Sequence, residues 1–146
     1  MKTLMVFLAF LQTLQFSAIA SDDKPITFEQ LPAQAQQLIK KHFAEQSIAL
    51  VKMDTDILDK SYEVIFTNGD KIGFDKNGNW KEIDCKRSHY PTELIPTQIQ
   101  SYVAKNYSGS KIYKIEKEDR GHYEVGLSNG ISLEFDSNFK LFDIDD

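Results

Sequence analysis

Cysteine occurs once, at Cys85 in 146 residues, so an internal disulfide framework is excluded. Histidine occurs three times, at His42, His89 and His122, with no two at ligand spacing. Cys85 and His89 make a C-x₃-H pair that lacks two further zinc ligands, and no third group is nominated to orient a Cys–His nucleophile. Cys85 is therefore read as a small, partly buried apolar residue following a strand. Positive charge is also scarce, with 17 Lys and Arg against 22 Asp and Glu for a net charge of −5. No basic run exceeds Lys40-Lys41 or Lys86-Arg87, which argues against nucleic acid and anionic membrane surfaces as partners.

Long apolar runs are missing outside the N-terminus. There, Leu4 to Phe16 is apolar but broken by Gln12, Thr13 and Gln15, too short to span a bilayer comfortably. Lys2 precedes it, and the small residues Ala18 and Ala20 stand ahead of Ser21. This is the layout of a secretory signal peptide over residues 1–20, cleaved after Ala20. The expectation is a periplasmic or secreted protein with no stable membrane anchor and no cofactor. The remaining residues suffice for one compact unit.

What the chain does have is a repeat. A shift of 61 residues carries Tyr62-Glu63-Val64 onto Tyr123-Glu124-Val125, Asn68-Gly69 onto Asn129-Gly130, and Phe74-Asp75 onto Phe135-Asp136. Ten of the 23 positions from Tyr62 to Asp84 are identical under it. Upstream, a shift of 64 pairs Leu31-Pro32 with Ile95-Pro96 and Phe43 with Tyr107. Such self-similarity reads as a tandem duplication. The expected division is a first repeat over 21–85, a linker over 86–93, and a second repeat over 94–146.

Each copy opens on a helical pattern: Leu31, Ala35, Leu38, Ile39 and Phe43, then Ile95, Ile99, Tyr102, Val103 and Tyr107. Pro32 and Pro96 fall at the helix starts, where a missing N–H costs nothing. Short β-branched runs follow, then the alternation Tyr62, Val64, Phe66 and its counterpart Tyr123, Val125, Leu127. Asn-Gly pairs suit tight hairpin turns with positive φ at both residues. The predicted fold is α+β: two copies of a helix plus a four-stranded antiparallel meander. Both helices would pack on one face of a shared eight-stranded sheet. One copy alone would be marginal.

The run of motifs, LP at the helix start, an aromatic closing it, then YEV, NG, FD and ID, resembles the exported PepSY-like proteins of β-lactamase-inhibitor-like fold. The resemblance covers nearly the whole chain after residue 20. It implies a non-enzymatic binding or inhibitory module in the cell envelope, with an unidentified protein or peptide as partner. No target-contacting motif carries over by residue.

Candidate sites are few. Asp75-Lys76-Asn77-Gly78-Asn79 opens like a calcium loop, but Trp80 and Lys86 stand where that loop needs Gly and Glu. A hairpin turn is the better account, and a small-ligand or metal-ion site on the Asp/Asn-rich turns is the alternative function. If Tyr62, Val64 and Phe66 face the helices, then Glu63, Ile65, Thr67, Glu124, Ser128 and Glu134 face away, interspersed with Gly73 and Gly126. That face is the candidate partner-binding surface, the glycines letting another backbone approach. An ordinary solvated sheet face is the alternative.

Overall fold

The computed structural model describes residues 23–56 and 59–146. The expected signal peptide, residues 1–20, lies outside them. Nine strands form one sheet in sequential order: β1 (Lys24–Pro25), β2 (Ile48–Thr55), β3 (Lys60–Phe66), β4 (Lys71–Asp75), β5 (Trp80–Asp84), β6 (Ile112–Lys117), β7 (Tyr123–Leu127), β8 (Ser132–Phe135) and β9 (Leu141–Asp145). Every neighbouring pair is antiparallel. The sheet has nine strands where eight were expected. The addition is β1, whose two residues lie beside Met53 and Lys52 of β2. Two residues containing a proline carry no alternation from which a strand could be read.

Helices α1 (Ala33–His42) and α2 (Thr97–Asn106) precede β2 and β6. Pro32 and Pro96 are their N-cap residues, one position earlier than expected, and each carbonyl accepts the first helical bond, from Gln36 and Gln100 at 3.1 and 3.0 Å. Lys40, Lys41 and His42 in the last turn of α1 sit where positive charge suits the helix dipole. Each helix is closed by an aromatic C-cap residue, Phe43 and Tyr107. Phe43 stacks on Phe66 at 5.4 Å, and within α2 Tyr102 meets Phe135 edge-on at the same distance.

Register fixes which side chains form the core. Val64 lies opposite Ile72, Ile72 opposite Ile83, Ile83 opposite Ile115, Ile115 opposite Val125, and Val125 opposite Leu133. All six are buried, together with Ala35 and Ile39 of α1 and Ile99 and Val103 of α2, in one apolar cluster. The row crosses β5–β6, so the sheet is continuous between the two halves of the sequence. Four one-residue bulges interrupt the ladders, at Ala49, Lys81, Tyr113 and Phe142. The first three let two apolar residues in or against the core stand three apart, as Ile48 and Val51, Trp80 and Ile83, and Ile112 and Ile115 do.

The hairpin turns differ from the expected two-residue type. Phe66 N–H bonds the Asp70 carbonyl and Leu127 N–H the Ile131 carbonyl, enclosing three residues. Gly69 and Gly130 are left-handed, at φ 93° and 89°, while Asn68 and Asn129 are not. This is a turn followed by a glycine bulge, which asks for positive φ once rather than twice. The stretch 86–93 is folded against the body. The buried Asp70 carboxylate accepts from the Arg87 N–H at 3.0 Å, from the Ser88 hydroxyl and from the Asn68 amide.

Candidate functional site

Opposite the core, the other strand parity brings acidic residues into one line. Glu63 lies beside Gly73, Gly73 beside Glu82, Glu82 beside Glu116, Glu116 beside Glu124, Glu124 beside Glu134, and Glu134 beside Asp143. Six carboxylates thus cross seven strands, from β3 to β9, with one glycine among them. Lys52 closes the row at the β2 end, 4.0 Å from Glu63 and 3.3 Å from Asp23. Like charges directly opposite one another on neighbouring strands repel, so the row is unfavourable for folding without counter-charge.

Part of that counter-charge comes from Lys114, in the adjacent row, with its ammonium 3.4 Å from Glu82. Burial alone would lower the Lys114 pKa, but the carboxylates of Glu82, Glu116 and Asp84 outweigh it and hold the group above the ordinary lysine value. At the centre of the row the carboxylates crowd. Ligating oxygens of Glu116, Glu118 and Glu124 lie within 4.8 Å of one another. Sharing a hydrogen bond with Glu124, and with Glu134 and Glu116 nearby, raises the Glu118 carboxyl above its ordinary value. Ser132 donates to Glu124 at 3.2 Å. At the β2–β5 end the face opens into a cavity of about 520 Å³ lined by Lys52, Glu63, Gly73, Glu82 and Glu116, among others.

The structure places Glu63, Glu124 and Glu134 in this row. Ile65 is one row over, opposite Leu50 of β2, and both are partly exposed. Thr67 and Ser128 are not on the sheet face. Each lies beyond its strand in the following turn, and Ser128 pairs with Lys111 through both its N–H and its hydroxyl, at 2.8 Å each. Gly126 does not open the face either. It is buried under the Tyr113 ring, which lies 3.1 Å from where a Cβ would stand, because the bulge at Tyr113 turns that ring over it. Gly73, with only Glu82 Cβ at 3.8 Å, remains open.

Glu82, Glu116, Glu118 and Asp143 were missed by the sequence reading. The Asp/Asn-rich turns are engaged internally. Asp75 accepts from the backbones of Asn77 and Asn79 at 2.9 Å each and from the Asn79 amide at 3.2 Å. Asp136 repeats the pattern with Asn138 and Lys140. Cys85 is buried, and burial together with the nearby Asp70 charge pushes its thiol up to about 12, so no thiolate forms at neutral pH.

An antiparallel sheet with two helices and a charged open face defines a small α+β module. The PepSY-like family, described as β-lactamase-inhibitor-like, matches residues 60–143, and the chain belongs to it. Three solved structures are similar. A periplasmic protein of Bacteroides vulgatus shares 53% identity and a TM-score of 0.83, covering 87% of this chain and 99% of its own. A Bacteroides thetaiotaomicron protein described as calcium-regulated and periplasmic shares 54% identity and a TM-score of 0.83, covering 86% and 98%. A second periplasmic protein of B. vulgatus, of unknown function, shares 35% identity and a TM-score of 0.78, covering 85% and 99%. No curated protein matches the chain. Among the described residues no helix is long and apolar enough to cross a membrane.

Proposed function

We propose that this is an exported, non-catalytic binding module of the periplasm that receives a cationic protein or peptide segment on the acidic face of its sheet. The observation that carries the reading is the row Glu63, Glu82, Glu116, Glu124, Glu134, Asp143. A folded chain that holds six carboxylates in line tolerates their repulsion, and a basic partner relieves it. We take the chain as a duplication whose two helices lie on the same side of the sheet, Phe66 and Phe135 having the same parity, which leaves the opposite side free. The family's description as inhibitor-like and the solved relatives' description as periplasmic fit contact with another envelope protein. A test is titration with a peptide of alternating Lys and Ser at low ionic strength. Charge reversal by Glu63→Lys with Glu124→Lys should weaken binding roughly tenfold or more, while the far-ultraviolet spectrum stays that of the parent. Equal affinity of parent and variant removes the face from consideration.

A second reading is a calcium site, favoured by the convergence of Glu116, Glu118 and Glu124 and by the calcium-regulated description of one neighbour. Three carboxylates supply hard oxygen donors, with water to complete the six to eight that calcium takes. Calcium should then raise the unfolding temperature by mass action, and Glu116→Gln with Glu124→Gln should abolish that rise. No calcium effect on the parent discards this reading.

A further inference from the structure

Among the described residues the last strand ends the sheet with an unpaired edge, of a kind that another strand covers at β5. Strand β9 lies on β8 in the register that β5 has on β4. Asp143, Ile144 and Asp145 face Glu134, Leu133 and Ser132, just as Glu82, Ile83 and Asp84 face Gly73, Ile72 and Lys71, and the bulge at Phe142 matches that at Lys81. The outer side of β5 is taken by β6, with Ile115 opposite Ile83 and Lys114 opposite Asp84. Among the described residues nothing pairs with the outer side of β9. The consequence is measurable in one residue type at one register position: Ile83 is 0% exposed and Ile144 is 50% exposed. Phe142, 52% exposed, adds a second apolar side chain on the same strand.

We propose that the outer edge of β9 accepts an extended segment of a partner protein by antiparallel strand addition, and that the segment reads basic–aliphatic–basic. The β5–β6 seam is the template. An aliphatic residue opposite Ile144 would stand as Ile115 does opposite Ile83, and a lysine opposite Asp145 as Lys114 does opposite Asp84. At the third position the template places Glu116 against Glu82, a like-charge pair. A basic residue facing Asp143 replaces that repulsion with attraction. A second β9 is a poor occupant, because antiparallel pairing centred on Ile144 puts Asp143 against Asp145. The outer edge of β2 is a poor occupant too, since β1 already covers Lys52 and Met53 and ends on a proline. Main-chain bonds would supply affinity and the alternating side chains specificity.

The probe is a synthetic peptide spanning residues 110–118 of this chain with Glu116→Lys, so that its centre reads Lys-Ile-Lys, titrated onto the full protein while amide exchange of β9 is followed. Binding with slowed exchange of the β9 amides is expected, and the peptide retaining Glu116 should bind roughly tenfold more weakly. Asp143→Lys with Asp145→Lys should reduce binding of the Lys-Ile-Lys peptide while leaving the far-ultraviolet spectrum and unfolding temperature near the parent's. Glu63→Lys with Glu124→Lys, which removes capture on the open face, should leave the peptide's slowing of β9 amide exchange in place. A peptide that protects the face residues but not β9, or that binds the Asp143/Asp145 variant as well as the parent, overturns the proposal. Concentration-dependent dimerisation through β9 would overturn it as well.

Discussion

Single residues decide how the turns of this chain are built, and the two halves decide differently. The turn after β4 places Gly78 at φ 87°, and a Cβ there would stand 2.8 Å from Pro32 Cβ and 3.1 Å from the Ala35 nitrogen. The start of α1 therefore leans on the turn, and Gln34 bonds Asn79 at 2.7 Å across the same contact. At the matching turn after β8 the left-handed residue is Phe139, at φ 61°, its ring stacked on Tyr123 at 5.3 Å. A bulky residue in that conformation is strained, and the stacking offsets the strain. Glycine at position 78 is thus selected by packing as much as by φ. Gly130 supplies the control, at φ 89° with nothing within 4 Å of its Cβ position. Both Gly78→Ala and Gly130→Ala should cost about 1–2 kcal/mol for the left-handed backbone. Gly78→Ala should cost about 1–3 kcal/mol more for the overlap. Equal losses in denaturant titrations would mean that the helix start does not constrain this turn.

At the scale of elements, legibility in the sequence follows from how local the cause is. Helices α1 and α2 were readable because Leu31, Ala35, Ile39 and Phe43 recur at helical spacing, and β3 because Tyr62, Val64 and Phe66 alternate. Turn positions were readable from Asn-Gly, although the turn type was not, since a three-residue loop and a two-residue loop share that signal. The bulges were not readable. A single extra residue at Lys81 or Tyr113 reverses the side to which every later side chain of the strand points, and nothing local announces it. That is why Glu63, Glu124 and Glu134 were assigned to the open face while Glu82, Glu116 and Asp143, on bulged strands, were not. The same blindness misjudged Gly126: covered by Tyr113, it reads in the sequence as open space. Thr67 and Ser128 continue the alternation of their strands on paper but fall past the last ladder pair, where the chain has already turned. Strand β1 was illegible for the opposite reason, since its two residues exist as a strand only because β2 lies beside them.

The two halves of the sheet meet at β5–β6, and that seam sets two like charges opposite each other. Ile83 against Ile115 buries both side chains completely, which favours the join, while Glu82 against Glu116 opposes it. Lys114 resolves the conflict from the neighbouring row, reaching Glu82 at 3.4 Å with Glu116 and Asp84 close enough to add to its stabilisation. Because the folded-state pKa of Lys114 is raised, its contribution is fully present below the ordinary lysine value and is lost as pH rises through the folded value. At neutral pH the whole effect is therefore in place. Lys114→Gln should lower stability by about 1 kcal/mol at low ionic strength, the upper range for partly exposed ion pairs, since it leaves Glu82 and Glu116 facing each other without a cation. In a chain of this size that is a fall of about 2–8 °C in unfolding temperature. Added salt should shrink the deficit, because at about 1 M the screening length is about 3 Å, shorter than the spacing of the charges. The deficit should also narrow as the pH is raised into the range where Lys114 itself deprotonates, since the parent then loses what the variant already lacks. A deficit of the same size at low and high salt would mean that Lys114 stabilises the seam by packing its aliphatic stem rather than by neutralising the acidic row.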